Sequence, residues 1–256
     1  MARRTLILCL LFHLLILNLT SFCIAGPKQQ VVVYGDSGYP PYSYLENNVP
    51  KGVYVDILQR AFSKMTDYEV TIKMKPWKRG INSVKNGSVI ALFPPYYSDE
   101  RTLWMSFSEP IIEEQVVVFG KAEKLAGKTK WPDDFYNSIF GMNRGFNPTS
   151  MAGYRFASAI QAGLIGFEEA NNNEMNLKKL SAGRIDFYLN DTFIDTGKFP
   201  SVERGIVVKN NFGYLGFTRK YEGYPYITDF KTQFNTVIKQ MKEAKEIDKI
   251  LEIYTK

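Results

Sequence analysis

Past residue 25 the chain contains no cysteine and no histidine; Cys9, Cys23 and His13 all lie before it. If that leading segment is removed, Cys–His and Ser–His–Asp catalysis, thiol redox and zinc sites with Cys or His ligands are all excluded. Disulfide staples are excluded too, so the remaining ~230 residues must be held by their own core. A broad basic stripe is also missing. Without Arg3 and Arg4, the 32 Lys and Arg fall to 30 against 26 Asp and Glu, a net charge of +4. The densest basic stretch, Lys73 to Arg79 around Trp77, reads as a solvated face or pocket rim, and no nucleic-acid partner is expected. No internal repeat or low-complexity array is visible.

The leading segment itself reads as a secretory signal over residues 1–25. Arg3 and Arg4 form its positive end, Thr5 to Leu19 is almost wholly apolar, and Cys23 and Ala25 supply small residues at the −3 and −1 positions. Cleavage is placed after Ala25, and the expected location is the periplasm. Phe22 stands where a lipid-attachment cysteine wants a small residue, so Cys23 is not read as a lipid anchor.

The remainder of the chain alternates in strand-like and helix-like pieces. Val31 to Tyr34, Tyr68 to Met74, Val89 to Phe93, Val116 to Phe119, Ser138 to Met142, Phe167 to Ala170, Ile185 to Leu189 and Gly213 to Thr218 read as strands. Gly52 to Met65, Trp77 to Lys85, Asn173 to Ser181, Pro225 to Met241 and Lys245 to Tyr254 read as helices, as does a segment capped by Thr149 or Ser150 and running to Ala162. Such alternation predicts an α/β protein with mixed sheets flanked by helices, and ligands beyond the carboxyl ends of strands. Arg101, Tyr39, the 143–150 loop and Asp191 all lie just beyond predicted strand ends. Arg101 stands out, because a guanidinium stays charged near neutrality and its donor fork matches a carboxylate. The alternative is a surface arginine paired with Asp99 or Glu100.

Four segments in order, G-Y-P-P-Y-S-Y at 38–44, G-V-Y-V-D-I-L at 52–58, S-D-E-R…F-S-E-P-I at 98–111 and L-K-K-L-S-A-G-R-I-D-F-Y-L-N-D at 177–191, resemble the bacterial extracellular solute-binding proteins of family 3, the polar amino-acid type. The resemblance implies a two-lobed periplasmic-binding fold (type II) with two crossover hinge strands. Its lobes are expected at 26–119 with a return at 217–256, and at 120–216, with hinges near Phe119-Gly120 and Gly216-Phe217. It also implies a non-enzymatic, monomeric receptor without cofactor or metal, which hands a small carboxylate-bearing solute to an inner-membrane ABC permease. A dehydratase of the same fold (cyclohexadienyl-dehydratase-like) and a ligand-sensing module for a receptor kinase are the rival readings.

By the same resemblance Arg101 matches the carboxylate-binding arginine and Asp191 the acid that takes an α-ammonium. Capping a helix from Thr192 is the plainer role for Asp191. Tyr39 and Trp77 match the aromatics that sandwich the solute, with core burial as the alternative. Tyr96 stands in the head-group stretch, and Thr149 and Ser150 match a loop of backbone donors. The sequence departs from the family at Phe93-Pro94-Pro95-Tyr96-Tyr97. Small hydroxyl residues are usual there, and the two prolines remove N–H donors. Asp56, inside the apolar 53–58 run, is read as structural.

Overall fold

Val31 and Val33 point into the interior while Val32 and Tyr34 are only half-buried, the alternation of a strand with one face on a core. In the computed structural model, which describes residues 26–254, this strand β1 runs Gln29–Asp36. The expected signal segment 1–25 lies outside the described residues. After β1 come a small antiparallel meander, β2 (Gly38–Tyr39), β3 (Ser43–Glu46) and β4 (Val49–Lys51), and helix α1 (Val53–Ser63). Next are β5 (Tyr68–Lys75), helix α2 (Trp77–Asn86), β6 (Ala91–Phe93), a single helical turn α3 (Asp99–Thr102) and β7 (Met105–Phe107). α2 stops at Gly87, whose left-handed φ of 76° suits a residue without Cβ.

The second unit comprises β8 (Ile112–Gly120), α4 (Ala122–Leu125), β9 (Ile139–Asn143), α5 (Pro148–Ala152), α6 (Tyr154–Gln161), β10 (Gly166–Ala170), α7 (Asn173–Ser181), β11 (Phe187–Asp191) and β12 (Glu203–Gly213). β13 (Gly216–Thr218), α8 (Ile227–Glu243) and α9 (Glu246–Tyr254) complete the described chain.

Two five-stranded mixed sheets result, ordered β5-β1-β6-β13-β7 and β10-β9-β11-β8-β12. In the first, β1 runs parallel to β5 and β6 while β13 lies antiparallel to β6 and β7. The first core joins Val31 and Val33 to Leu58 and Phe62 of α1 and to Phe230, Phe234 and Met241 of α8, so the last helices return to the first lobe. Phe230 and Phe234 are fully buried, and each contributes about 1.5–3 kcal/mol through burial. The second sheet is covered on both faces, by Phe135, Phe140, Phe156 and Phe187 on one and by Leu177, Leu180 and Tyr188 on the other.

Several expectations shift. β8 pairs along its whole length with β11 and β12, so all of Ile112–Gly120 belongs to the second sheet. The chain therefore crosses between Phe107 and Ile112 and returns between Gly213 and Gly216, not at Phe119-Gly120 and Gly216-Phe217. β12 has no counterpart among the expected strands, and β11 starts two residues later than expected, at Phe187, with Asn190 and Asp191 as its last two residues. The helix expected from Thr149 or Ser150 to Ala162 is broken at Gly153, where φ is 91°. Its cap is Asn147, whose Oδ1 accepts from the Ser150 N–H at 2.8 Å. Asp56 accepts from the Tyr254 hydroxyl at 2.5 Å and ties α1 to α9, a structural role in keeping with its place in an apolar run.

Candidate functional site

The short stretch from β6 to β7 positions Arg101. Ser98 caps α3 by accepting from the Arg101 backbone N–H at 3.3 Å. The side chain then turns inward and is only 5% exposed. Its Nη1 donates to the Tyr96 carbonyl at 2.7 Å, and its Cζ lies 5.8 Å from the centre of the Trp77 ring. Neither acid beside it in sequence pairs with it. Glu100 accepts from Asn147 Nδ2 at 2.7 Å and Asp99 from the Tyr97 hydroxyl at 3.1 Å. Among the described residues the guanidinium makes no ion pair. Burial lowers its pKa to about 10, so it remains a cation near neutrality.

Arg101 faces a narrow cavity between the lobes, about 20 Å³ in volume and partly open to solvent. Asp36, Tyr39, Trp77, Pro94 and Tyr96 line it from the first lobe, and Phe146, Asn147, Ser150 and Met151 from the second. Asp36 does not stand out in the sequence, although it follows the first predicted strand by two residues; in the structure it ends β1, where α/β sheets place ligand contacts. It is buried, its Oδ1 accepts from the Gly38 N–H at 3.0 Å, and burial raises its pKa to about 7. The cavity thus joins a free cation, a buried acid and aromatic walls. Trp77 and Phe146 meet edge to face at 6.2 Å, as do Tyr39 and Phe146 at 5.8 Å.

Of the residues named from sequence, Arg101, Tyr39, Trp77, Tyr96 and Ser150 line this cavity, while Thr149 and Asp191 do not. The donors expected from the 147–150 loop are mostly consumed. Pro148 has no N–H, the Ser150 N–H is held by Asn147 Oδ1, and Ser150 Oγ donates to the Asn147 carbonyl at 3.0 Å. Asp191 begins no helix. It is fully buried at the end of β11, where Oδ1 accepts from the Tyr42 hydroxyl at 2.6 Å and the Phe193 N–H at 2.7 Å. Among the described residues its Oδ2 has no partner.

Glu114 on β8 is equally inconspicuous in sequence, one of two acids before a glutamine. It is 1% exposed. Oε2 accepts from the hydroxyls of Tyr39 at 2.7 Å and Tyr96 at 2.6 Å, and Oε1 from that of Tyr54. Burial raises the pKa values of both Glu114 and Asp191, and the charge of Asp191 raises that of Glu114 further.

The two lobes touch around this region. Trp77 Nε1 donates to the Gly145 carbonyl at 3.1 Å, Asn147 to Glu100, Tyr42 to Asp191, and Asn173 Nδ2 to the Pro40 carbonyl at 3.4 Å. Two α/β lobes closed over a small mixed-polarity cavity are the architecture of a solute-binding protein, and the sequence profile of the bacterial extracellular solute-binding proteins, family 3, matches residues 31–256.

The chain belongs to that family.

Solved structures place this family member among two-lobed binding proteins. An amino acid ABC transporter substrate-binding protein of Streptococcus pneumoniae, bound to L-arginine, superposes with a TM-score of 0.70 at 16% identity, over 88% of this chain and 94% of that one. An ancestral amino acid-binding protein, a precursor of cyclohexadienyl dehydratase, gives 0.69 at 20% identity, over 89% and 95%. A histidine kinase sensor domain similar to periplasmic binding proteins gives 0.72 at 16% identity, over 89% and 96%. Among curated proteins no sequence matches. No helix among the described residues is long and apolar enough to cross a membrane.

Proposed function

We propose that this family member is a periplasmic receptor that closes its two lobes over one small solute bearing a carboxylate and delivers it, as a monomer, to an inner-membrane ABC permease. The observation that carries the reading is Arg101. A buried guanidinium with one carbonyl acceptor and no acid beside it is costly, and a carboxylate entering the cavity would supply both charge and paired acceptors. Residues 1–25 are the export signal of this reading, with cleavage after Ala25. The lobes of this reading are residues 26–107 with 216–254, and residues 112–213, hinged at 108–111 and 214–215.

Asp36 narrows the solute. An acid facing the same cavity as Arg101 favours a molecule that also carries a cationic group, an amino acid or a related zwitterion. Pro94 and the consumed loop donors argue against dense backbone recognition of its head group, so the charged pair and the aromatic walls carry the selectivity. Tyr39, Trp77, Tyr96 and Ser150 contact the solute; Asp191 and Thr149 stand back from it. A thermal-shift screen of amino acids, peptides and organic acids tests this, since a solute in excess of its dissociation constant raises the melting temperature. Zwitterions should shift wild type and fail to shift R101A. A shift of equal size in both overturns the role of Arg101.

Asp36 also supports the rival enzymatic reading, because a buried acid poised near pH 7 suits proton transfer. Turnover of a prephenate-like acid by the purified protein, abolished in D36N, would establish that reading in place of solute capture.

A further inference from the structure

Glu114 and Asp191 form a second buried station, outside the Arg101 cavity. Both sit on the second sheet, on β8 and β11. Every hydroxyl that reaches them comes from the first lobe: Tyr39 from β2, Tyr42 from the loop after it, Tyr54 from α1 and Tyr96 from the segment after β6. The Tyr39 and Tyr42 rings stack at 5.0 Å, one serving each acid. No Lys or Arg among the described residues makes an ion pair with either carboxyl. A cation that acts on Asp191 is Arg204 of β12, whose guanidinium is hydrogen-bonded to the Thr192 carbonyl. The pair is thus two buried acids, four neutral hydroxyls and an orphan oxygen, Asp191 Oδ2. Two ionised carboxylates in such a place are strongly disfavoured, and one shared proton relieves the repulsion.

We propose that the Glu114–Asp191 pair is a proton-binding site completed by lobe closure, so that closing takes up one proton from water and opening releases it. The proposal rests on the solute-capture reading only in that the lobes open and close. With the lobes apart, water hydrates both acids and they ionise in the ordinary carboxylate range. With the lobes together, the tyrosines exclude that water and one proton stays. Closure is then favoured fully at acidic pH, weakens as pH rises above the ordinary range, and stops weakening once the closed pair also ionises. Within that window the closed-to-open ratio falls by up to about tenfold per pH unit.

The test is small-angle scattering of the full-length purified protein at about pH 5 and about pH 9, either side of the carboxylate range as burial raises it. No solute is added, so failure here leaves the capture reading standing. The radius of gyration should be smaller at the lower pH in wild type and in D36N, and E114Q should be compact at both. D191N serves if E114Q does not fold. In wild type under compact conditions, the infrared carbonyl band of a protonated acid should be present, and it should be lost in E114Q. Equal dimensions at the two pH values, or an E114Q protein that behaves as wild type does, overturns the proposal.

Discussion

Arg101 and Glu114 are both buried where the lobes meet, and both lack a partner of opposite charge, yet their surroundings treat them differently. Around Arg101 the protein leaves donors unspent and a space beside them. Around Glu114 it brings three tyrosine hydroxyls to two oxygens and leaves neither oxygen unpaired. An incomplete site recruits a molecule, whereas a saturated one locks the structure and shifts its own ionisation. Burial and charge alone do not separate these roles; the difference lies in which hydrogen-bonding capacity remains unused.

The comparison breaks most visibly at Arg101. R101A should lose solute affinity at least about thirtyfold, as expected when one partner of a desolvated charge pair is removed, while its melting temperature without solute stays level or rises. R101K, which keeps the charge without the fork, should lose about tenfold by titration calorimetry. At the saturated station the effect should fall on stability. A Cβ on Gly213 would lie 1.7 Å from the Tyr54 hydroxyl, so G213A must push that hydroxyl off Glu114. The expected cost is about 1–3 kcal/mol in denaturant unfolding.

Asp36 sharpens the contrast through pH. Its pKa is raised to about 7 by burial, so below that pH the acid is neutral and a solute cation must first displace its proton. Through Asp36, affinity for a zwitterion should weaken by up to about tenfold per unit as pH falls below 7. The Glu114 pair acts with the opposite sign. A binding curve against pH for E114Q isolates the Asp36 branch, and one for D36N isolates the other. A flat curve for E114Q rules out Asp36 as the cation partner. The smallest effect belongs to a tyrosine–carboxylate pair away from the cleft: Y254F, which frees Asp56, should cost about 0.5–1.5 kcal/mol and leave solute affinity unchanged.

Most of the fold is legible because its elements declare themselves locally. Asn173–Ser181 is helical over the span its spacing indicates, and α2 ends at the Asn-Gly stop. β12 is hidden because Arg204-Gly205 and Lys209-Asn210-Asn211 interrupt its apolar alternation. Its pairing partner, β8, lies far away in sequence. The hinge is hard to place for a related reason: β8 extends to Ile112 through the exposed Glu113 and the buried Glu114, two acids that give no strand signal until the pairing with β12 is seen. Arg101 can be found because one residue type carries its chemistry. Glu114 cannot, since its burial depends on tyrosines from separate segments, and no local pattern reports them together.

Trp77 gives the protein an optical gauge of its own. Trp131 stacks on Phe156 within one lobe, and Trp104 lies under Lys85 within the other. Only the indole of Trp77 reaches across to a carbonyl of the opposite lobe. If the lobes part as proposed, its N–H must exchange Gly145 for water. A shift in emission colour therefore reads opening directly, without a dye, and W77F should silence it.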